Sequence, residues 1–172
     1  NLVHFPSNND DIKEALRYLK YEEFLKFQLT MQYIKFSRKK NIGIKKIFNP
    51  KILEQFIKKL PFKLTTDQMT AVNEIIDDLK KDTTMYRFIQ GDVGSGKTVV
   101  GAVGLYANYL AGFQGAMMAP TEILATQHYQ SLKALLKETK VNLALLTGHL
   151  SNKEKQTIYQ DLISGKIDIV VG

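Results

Sequence analysis

The sequence contains no cysteine, and this absence excludes both a disulfide framework and a metal site built on thiolates. It also lacks any apolar run long enough to cross a bilayer and any pattern typical of a signal peptide. Internal repeats and low-complexity tracts are absent as well. We therefore expect a cytoplasmic protein with no membrane partner.

The composition favours a folded chain of moderate size. Of the 172 residues, 44% are hydrophobic and 24% are charged, which supports a hydrophobic core and argues against disorder. This length accommodates one domain of medium size, or one domain with an appendage. Because the first residue is Asn1 and not methionine, we expect the sequence to be an excerpt of a longer protein.

The net charge of +7 is distributed unevenly. Residues 61–172 carry equal numbers of acidic and basic side chains, so the whole excess lies in residues 1–60, where it is densest from Lys35 to Lys51. Such a patch suits a polyanion such as DNA. The candidate DNA contacts in this patch are Arg38, Lys39 and Lys40. The alternative is a solvated helix end, where basic side chains offset the helix dipole, and the sequence leaves both interpretations open.

The first 60 residues are predicted to be helical. Most of the stretch 7–43 is expected to form one long helix with Asn9 as its N-cap, and Asn49-Pro50 begins a short helix that ends near Leu60. Apolar side chains lie on more than one side of the long helix. We therefore expect them to pack against partners on more than one side.

Beyond residue 61, helices alternate with strands. The predicted helices are 66–80, 97–112, 121–137 and 152–164. The predicted strands are 85–90, 115–119, 143–146 and 167–171. This alternation requires right-handed crossovers and gives a parallel sheet with helices on both faces, so the fold class is α/β.

The stretch "GDVGSGKT" after the first predicted strand matches the phosphate-binding pattern G-x-x-x-x-G-K-[ST]. Glycine lets successive backbone N–H groups turn towards a phosphate, and the helix that follows directs its positive end at the same point. Lys97 adds a charge near the β- and γ-phosphates, and Thr98 offers a hydroxyl to Mg²⁺. We predict a nucleotide site in which these two residues serve catalysis. The other predicted contacts in the loop are Gly91, Asp92, Val93, Gly94, Ser95 and Gly96.

Further stretches distinguish among the classes of nucleotide-driven proteins. They are "LPFKLTTDQ", "MAPTEILATQH", "LLTGHL" and "GKIDIVVG". Together with the glycine loop they resemble the first motor domain of the RecG family of ATP-dependent DNA helicases, and "VHFPSNNDDIKEALRYLKYEEFLKFQL" resembles the linker between its wedge domain and that motor. The resemblance covers essentially the whole chain. The related transcription-repair coupling translocase, an alternative, usually has tyrosine in place of Ser95 and threonine in place of Glu122.

The resemblance implies a RecA-like P-loop NTPase fold over residues 50–172, preceded by a helical linker over residues 1–49. It implies ATP and Mg²⁺ as cofactors of a helicase that remodels stalled forks and Holliday junctions in recombination and repair. The implied partners are branched DNA, single-strand DNA-binding protein and the rest of its own chain. Gln68 would contact the adenine, with helix capping together with Thr65 as the alternative. Phe62 would stack on the base or belong to the core.

The resemblance also places contacts to the DNA backbone after the second and third predicted strands. These contacts are Pro120, Thr121, Thr147 and Gly148. Thr121 begins a helix, where a hydroxyl and free N–H groups can meet a phosphate. Helix capping by Thr121 and a tight turn at Gly148 are the alternatives. None of these positions is expected to read base edges.

Turnover of ATP needs more than the glycine loop. It requires a carboxylate on Mg²⁺, a group that orients water and usually an arginine. In the family the carboxylates follow the last motif present here and the arginine lies in a second motor domain; neither Asp92 nor Asp168 matches the acidic motif. We therefore expect binding without efficient hydrolysis. A nucleotide- and DNA-binding module without turnover is the alternative. A small-molecule kinase would need a substrate site and a lid, and the sequence contains no stretch suited to one.

Overall fold

The computed structural model describes residues 6–38 and 42–172, except for the side chain of Arg38. The chain divides into two compact units, Asn1–Gly43 and Ile44–Gly172. The domain boundary predicted from the sequence lies a few residues later and stays a prediction.

Helices and strands follow one another in the order that the sequence predicts from residue 97 onwards. The helices are α1 (Asn9–Arg38), α2 (Pro50–Lys58), α3 (Thr66–Leu79), α4 (Lys97–Leu110), α5 (Glu122–Leu135) and α6 (Asn152–Ile163). The strands are β1 (Gly115–Met117), β2 (Leu143–Leu145) and β3 (Ile169–Val171). The helices predicted from residue 66 onwards are confirmed nearly end to end. The last three predicted strands are confirmed in shorter form.

Side-chain caps determine where most of these helices begin. Asn49 Oδ1 accepts a hydrogen bond from Lys51 N (3.0 Å), and Pro50 occupies the first turn of α2, as the sequence predicts. The N-cap predicted for α1 is wrong. Asn8 Oδ1 accepts from the backbone N–H groups of the second and third residues after it, at 2.9 and 2.8 Å, which is the position of a capping side chain.

The three strands form a parallel sheet in the order β1-β3-β2. The central strand is therefore the last in sequence, and its Ile169 pairs with Gly115 on one side and Leu143 on the other. Ile169 and Val171 are fully buried. Helix α4 packs against β1, and α5 packs against β2 and β3. Carboxyl ends of parallel strands meet at one edge, so the loops after β1 and β2 lie on the same side of the sheet.

The hydrophobic core of residues 44–172 centres on α4. Helices α2, α3 and α5 all pack against it. Its buried side chains are Val99, Val100, Ala102, Val103, Tyr106 and Ala107. Phe56 of α2 contacts Tyr106, with ring centroids 4.3 Å apart. Because the first turn of α4 follows the glycine loop, this packing holds the loop on a rigid element.

The strand predicted over 85–90 is absent from the described sheet. A strand requires a hydrogen-bonded neighbour, which residue composition alone does not guarantee. The segment instead connects to α3 through Arg87, which pairs with both Glu74 and Asp78. Phe88, on the same segment, is 86% exposed.

The apolar side chains of α1 are largely exposed among the residues that the structure describes. Phe24 is 62% exposed and Tyr33 is 72% exposed, whereas Ala15 is the buried side chain among those described in this helix. A single helix that is apolar on several sides cannot bury them by itself. The expected packing against partners on more than one side therefore stays a prediction.

Candidate functional site

Residues 91–98 form the phosphate loop, which joins the segment before it to α4. Gly94 and Gly96 have φ angles of +82° and +83°, in the left-handed region that favours glycine. Ser95 N donates to Asp92 O (3.2 Å) and closes a tight turn over residues 92–95, which contains Gly94. The loop therefore curves back over the first turn of α4.

The N-terminus of α4 differs from those of the other helices in residues 44–172. Its N-cap, Gly96, provides no side-chain hydrogen bond. The other four helices in this range begin with side-chain caps from Asn49, Thr65, Thr121 and Ser151. The first N–H groups of a helix have no intrahelical acceptor and carry the positive end of the dipole. At α4 the backbone N–H of Val99 donates to Gly96 O (3.0 Å), and the N–H groups of Lys97 and Thr98 before it can donate to an anion.

Lys97 extends over the phosphate loop. Its Nζ donates to Gly91 O and Asp92 O, each at 2.7 Å, which leaves one of its three N–H groups for a further acceptor. Thr98, the next residue, is half-buried in the same first turn. A Cβ atom on residue 91 would lie 2.6 Å from Ser95 Oγ, so a larger residue there would require the Ser95 side chain to move.

Gln68 connects α3 to the phosphate loop. Its Oε1 accepts from Thr65 N (2.9 Å) while Thr65 Oγ1 accepts from Gln68 N (3.2 Å), which completes a capping box. Its Nε2 donates to Ser95 O (2.8 Å). A Cβ atom on Gly96 would collide with this amide nitrogen. The capping role is thus present, and one N–H and one lone pair of the amide remain for another partner.

A groove runs between α3 and the phosphate loop. Its wall is formed by Thr65, Asp67, Gln68, Ala71, Ile89, Gln90, Gly91, Gly94, Ser95, Lys97 and Val100. Asp92 and Val93 are exposed at the tip of the loop. Phe62 is 49% exposed and is not among the residues of this wall, within the part of the chain that the structure describes. Half of the predicted loop residues therefore line one cleft with Gln68, namely Gly91, Gly94, Ser95 and Lys97.

The loops after β1 and β2 are both bonded to the end of β3, which lies between them. Ala119 N donates to Gly172 O (2.7 Å), and Leu146 N donates to Val171 O (2.8 Å). These bonds continue the ladder past the strands and hold both loops at the carboxyl edge of the sheet. The residues predicted to contact DNA after the second and third predicted strands lie in these two loops.

Thr121 caps α5. Its Oγ1 accepts from Leu124 N (3.3 Å), and its backbone is extended, as at a typical N-cap. Pro120 precedes it and is exposed. The capping interpretation is confirmed, while the predicted contact of Pro120 and Thr121 with a DNA phosphate stays a prediction.

Glu122 joins the two loops. Its Oε1 accepts from His149 N (3.2 Å), and its Oε2 lies 2.6 Å from His149 Nε2. A Cβ atom on Gly148 would lie 2.5 Å from Glu122 Oε1, so glycine permits this approach. On the other side, Lys155 Nζ donates to Gly148 O (3.0 Å). The turn that begins at Thr147 is thereby held between α5 and α6.

The sequence did not predict the pairing of Glu122 with His149. The two residues are 27 positions apart, and only the crossover of the chain brings them together. The available signal was a carboxylate in the first turn after a threonine cap, which also suits the helix dipole. Local sequence therefore provided no reason to connect it with the next loop.

The predicted basic patch is described only in part. Lys39 and Lys40 lie outside the described residues, as does the side chain of Arg38. Further along the patch, Lys46 Nζ lies 3.3 Å from the centre of the Phe113 ring. In the described ranges no helix has the length and apolar character to cross a bilayer, and no cluster of three or more acidic or histidine side chains forms a metal site.

Sequence comparisons relate this chain to known helicases. Residues 65–172 match the family model described as "DEAD/DEAH box helicase". The chain is 46% identical over 171 residues to ATP-dependent DNA helicase RecG of Bacillus subtilis, covering 99% of this chain and 25% of that protein. It is 44% identical over 170 residues to ATP-dependent DNA helicase RecG of Thermotoga maritima, covering 99% of this chain and 22% of that protein. The chain thus spans about a quarter of the length of these relatives.

A solved structure agrees with this relationship. The present structure superimposes with a TM-score of 0.84 on a chain of "Structure of RecG bound to three-way DNA junction", at 44% identity over 99% of this chain and 24% of that one. The fold, a parallel sheet with helices preceded by a helical segment, is therefore the one that the sequence predicts. This chain belongs to the DEAD/DEAH box helicase family, and over essentially its whole length it is similar to RecG-type helicases.

Proposed function

We propose that this chain is the nucleotide-binding part of an ATP-dependent DNA helicase of the RecG type. The observation that carries the proposal is the phosphate loop: two left-handed glycines, a helix N-terminus without a side-chain cap, and Lys97 above them. These features together supply N–H donors and positive charge to a phosphate. The similarity to RecG helicases supports ATP as the nucleotide.

The nucleotide would lie in the groove between α3 and the loop. The β-phosphate would accept from the loop N–H groups and the remaining N–H of Lys97, and Thr98 would supply one oxygen ligand to Mg²⁺. Gln68 can use its remaining donor and acceptor to distinguish adenine from guanine, because guanine presents an acceptor where adenine presents a donor. Phe62, on the approach to α3, is exposed enough to stack on a base.

DNA would bind through its backbone at the loops after β1 and β2. Thr121 and Thr147 offer hydroxyl groups there, and Gly148 offers its backbone polar groups. None of these groups is arranged to read base edges. The basic residues Arg38, Lys39 and Lys40 would add sequence-independent attraction. In the whole protein the substrate would be branched DNA, such as stalled forks and Holliday junctions in repair and recombination. The similarity to a RecG chain solved on a three-way DNA junction supports a branched substrate.

Turnover would depend on other parts of the protein. Within the described residues, Asp168 accepts from Asn142 N through Oδ2 (2.7 Å) and supports the start of β3, and Asp92 lies at the loop tip. Neither matches the acidic motif of the family in sequence. The rest of the protein would supply the carboxylates and the arginine and would cover the apolar sides of α1. Single-strand DNA-binding protein would be a further partner, in the cytoplasm.

Calorimetry with ADP tests the nucleotide site. Lys97→Ala removes a charged donor, and a hydrogen bond to a charged group is worth roughly 1.5–3 kcal/mol, so affinity should fall about ten- to a hundredfold. Lys133→Ala is the matched control, because Lys133 is an exposed lysine in the last turn of α5. Equal affinity of Lys97→Ala and wild type would contradict the proposal.

A phosphate-release assay distinguishes the helicase from a module without turnover. We expect the 172-residue chain to hydrolyse ATP at background rates, with or without DNA. Robust release stimulated by DNA would show that these residues suffice for turnover. If a protein with the full length of the RecG relatives also stayed at background, the binding-module alternative would be favoured.

A further inference from the structure

The arrangement of the strands leaves the two predicted DNA-contacting loops separated. Strand β3 lies between β1 and β2, and neighbouring strands are about 4.8 Å apart, so the two loops begin roughly 10 Å from one another. Backbone bonds to the end of β3 hold each loop at its base but do not bring their tips together. A contact that spans β3 is therefore needed to fix the tips relative to one another.

Glu122 provides that contact. It is the first residue of α5, directly after the cap residue Thr121, and both of its carboxylate oxygens reach His149 in the opposite loop. One oxygen accepts from the backbone N–H of His149, and the other lies 2.6 Å from the imidazole. Gly148 gives the carboxylate room, and Lys155 holds Gly148 O from α6. The turn is thus fixed from two sides.

Glu122 places a negative charge beside the two loops that are proposed to bind DNA phosphates, and this placement needs an explanation. A carboxylate beside a surface for DNA phosphates repels them, so a residue with no other role there would weaken binding. Its hydrogen bonds to the neighbouring loop offer the opposite effect, because they order the groups that receive the phosphates. The two effects have opposite signs and can be separated by experiment.

We propose that Glu122 is a positioning residue for DNA-backbone binding. It fixes the turn containing Thr147, Gly148 and His149 against the first turn of α5 and so makes one phosphate-binding surface out of two loops. This inference rests on the proposed function, because it takes both loops as DNA contacts.

The test measures the affinity of the chain for a fluorescently labelled three-way DNA junction by anisotropy. Glu122→Ala should weaken binding about five- to tenfold, the upper range for one ordinary hydrogen bond. Glu122→Gln keeps an oxygen that can accept from His149 N and should restore affinity to within about twofold of wild type. ADP affinity should be unchanged in both. Glu138→Ala, which removes the same charge before β2 at the opposite edge of the sheet, should not weaken DNA binding.

Each other outcome overturns the inference. Binding of Glu122→Ala that is as tight as wild type, or tighter, would show that repulsion dominates. If Glu122→Gln binds DNA as weakly as Glu122→Ala, the hydrogen bond to His149 N is not what supports DNA binding. If Glu122→Ala lowers the unfolding temperature, its ADP affinity decides. An unchanged ADP affinity shows that the chain is folded in the assay, whereas ADP binding that weakens in parallel with DNA binding would contradict a role confined to the two loops.

The proposed function fails in a different way. Absence of junction binding by the wild-type chain would overturn DNA contact by these loops, and the role of Glu122 with it. Weaker binding in Thr147→Val together with unchanged binding in Glu122→Ala would keep the loops as DNA contacts and overturn only the positioning role.

Discussion

Asp78 anchors the segment that precedes the phosphate loop through its pair with Arg87. Its Oδ1 accepts from Lys81 Nζ (2.8 Å), and its Oδ2 accepts from Arg87 Nε (2.7 Å). The hydrogen bond from Lys81, with a further one from Arg87, holds the pKa of the Asp78 carboxyl below its usual range, against the opposing effect of burial. Arg87 lies in the segment that leads to the loop. The carboxylate therefore ties that segment to α3.

We predict that Asp78→Asn destabilises the fold by about 1–2 kcal/mol at neutral pH, less than the loss of one partner of a fully buried pair. Because the folded pKa is lowered, the stabilisation is fully present above the unfolded pKa of about 3.9 and is lost as pH falls through the folded value. Urea unfolding between pH 7 and pH 2 should show the difference between wild type and variant shrinking as the solution becomes acidic. The control is Asp10→Asn, whose pair with Lys13 is exposed and should contribute little at any pH.

Two helices of residues 44–172 begin with a capping box, and the two boxes differ in their further contacts. Thr65 with Gln68 caps α3, and Ser151 with Glu154 caps α6. The box of α3 extends further, through the bond from Gln68 Nε2 to Ser95 O in the phosphate loop. An ordinary start signal for a helix is thus also a support for the candidate nucleotide site.

The comparison of these caps gives a matched experiment. Thr65→Ala and Ser151→Ala should each lower stability by about 1 kcal/mol, the usual effect of losing an N-cap side chain. Only Thr65→Ala should also weaken ADP binding, because Thr65 Oγ1 accepts from the backbone N–H of Gln68 and so holds the helix start whose amide side chain donates to Ser95 O in the phosphate loop. Chemical denaturation measures the first effect and calorimetry the second. Equal ADP affinity in the two variants would mean that the capping box does not support the loop.

The whole molecule carries its excess positive charge in the first 60 residues. If Arg38, Lys39 and Lys40 contact DNA, replacing all three with glutamine should weaken binding to any sequence. It should also reduce the slope of log K against log salt by about 0.9 for each phosphate of duplex DNA that the variant no longer neutralises. Fluorescence anisotropy across a salt series measures both quantities.

A second triple variant separates contact from net charge. Lys13, Arg17 and Lys20 lie in the N-terminal half of α1, and their replacement with glutamine changes the charge by the same amount. This control should leave the slope nearly unchanged. Equal slopes for both triple variants would assign the basic patch to a solvated helix end, the alternative that the sequence leaves open.

The sequence alone was sufficient for features that depend on near neighbours. The phosphate loop is contiguous, and its glycines, lysine and threonine act within eight residues. Helix starts at Thr65 and Ser151 depend on side chains that bond three residues on, so local patterns predict them. The same locality explains why the helices from residue 66 onwards were predicted nearly end to end, and why the family resemblance was visible in short motifs.

Tertiary structure decided what depends on distant partners. The strand order β1-β3-β2 places the last strand at the centre, and no local pattern specifies which strands become neighbours. The segment 85–90 has the composition of a strand but no ladder in the described sheet, and Arg87 joins it to α3 instead. The contact of Glu122 with His149 likewise exists only because crossovers bring two loops to one edge. Local hydrogen bonds are encoded within a few residues, whereas these contacts require the whole domain to close first.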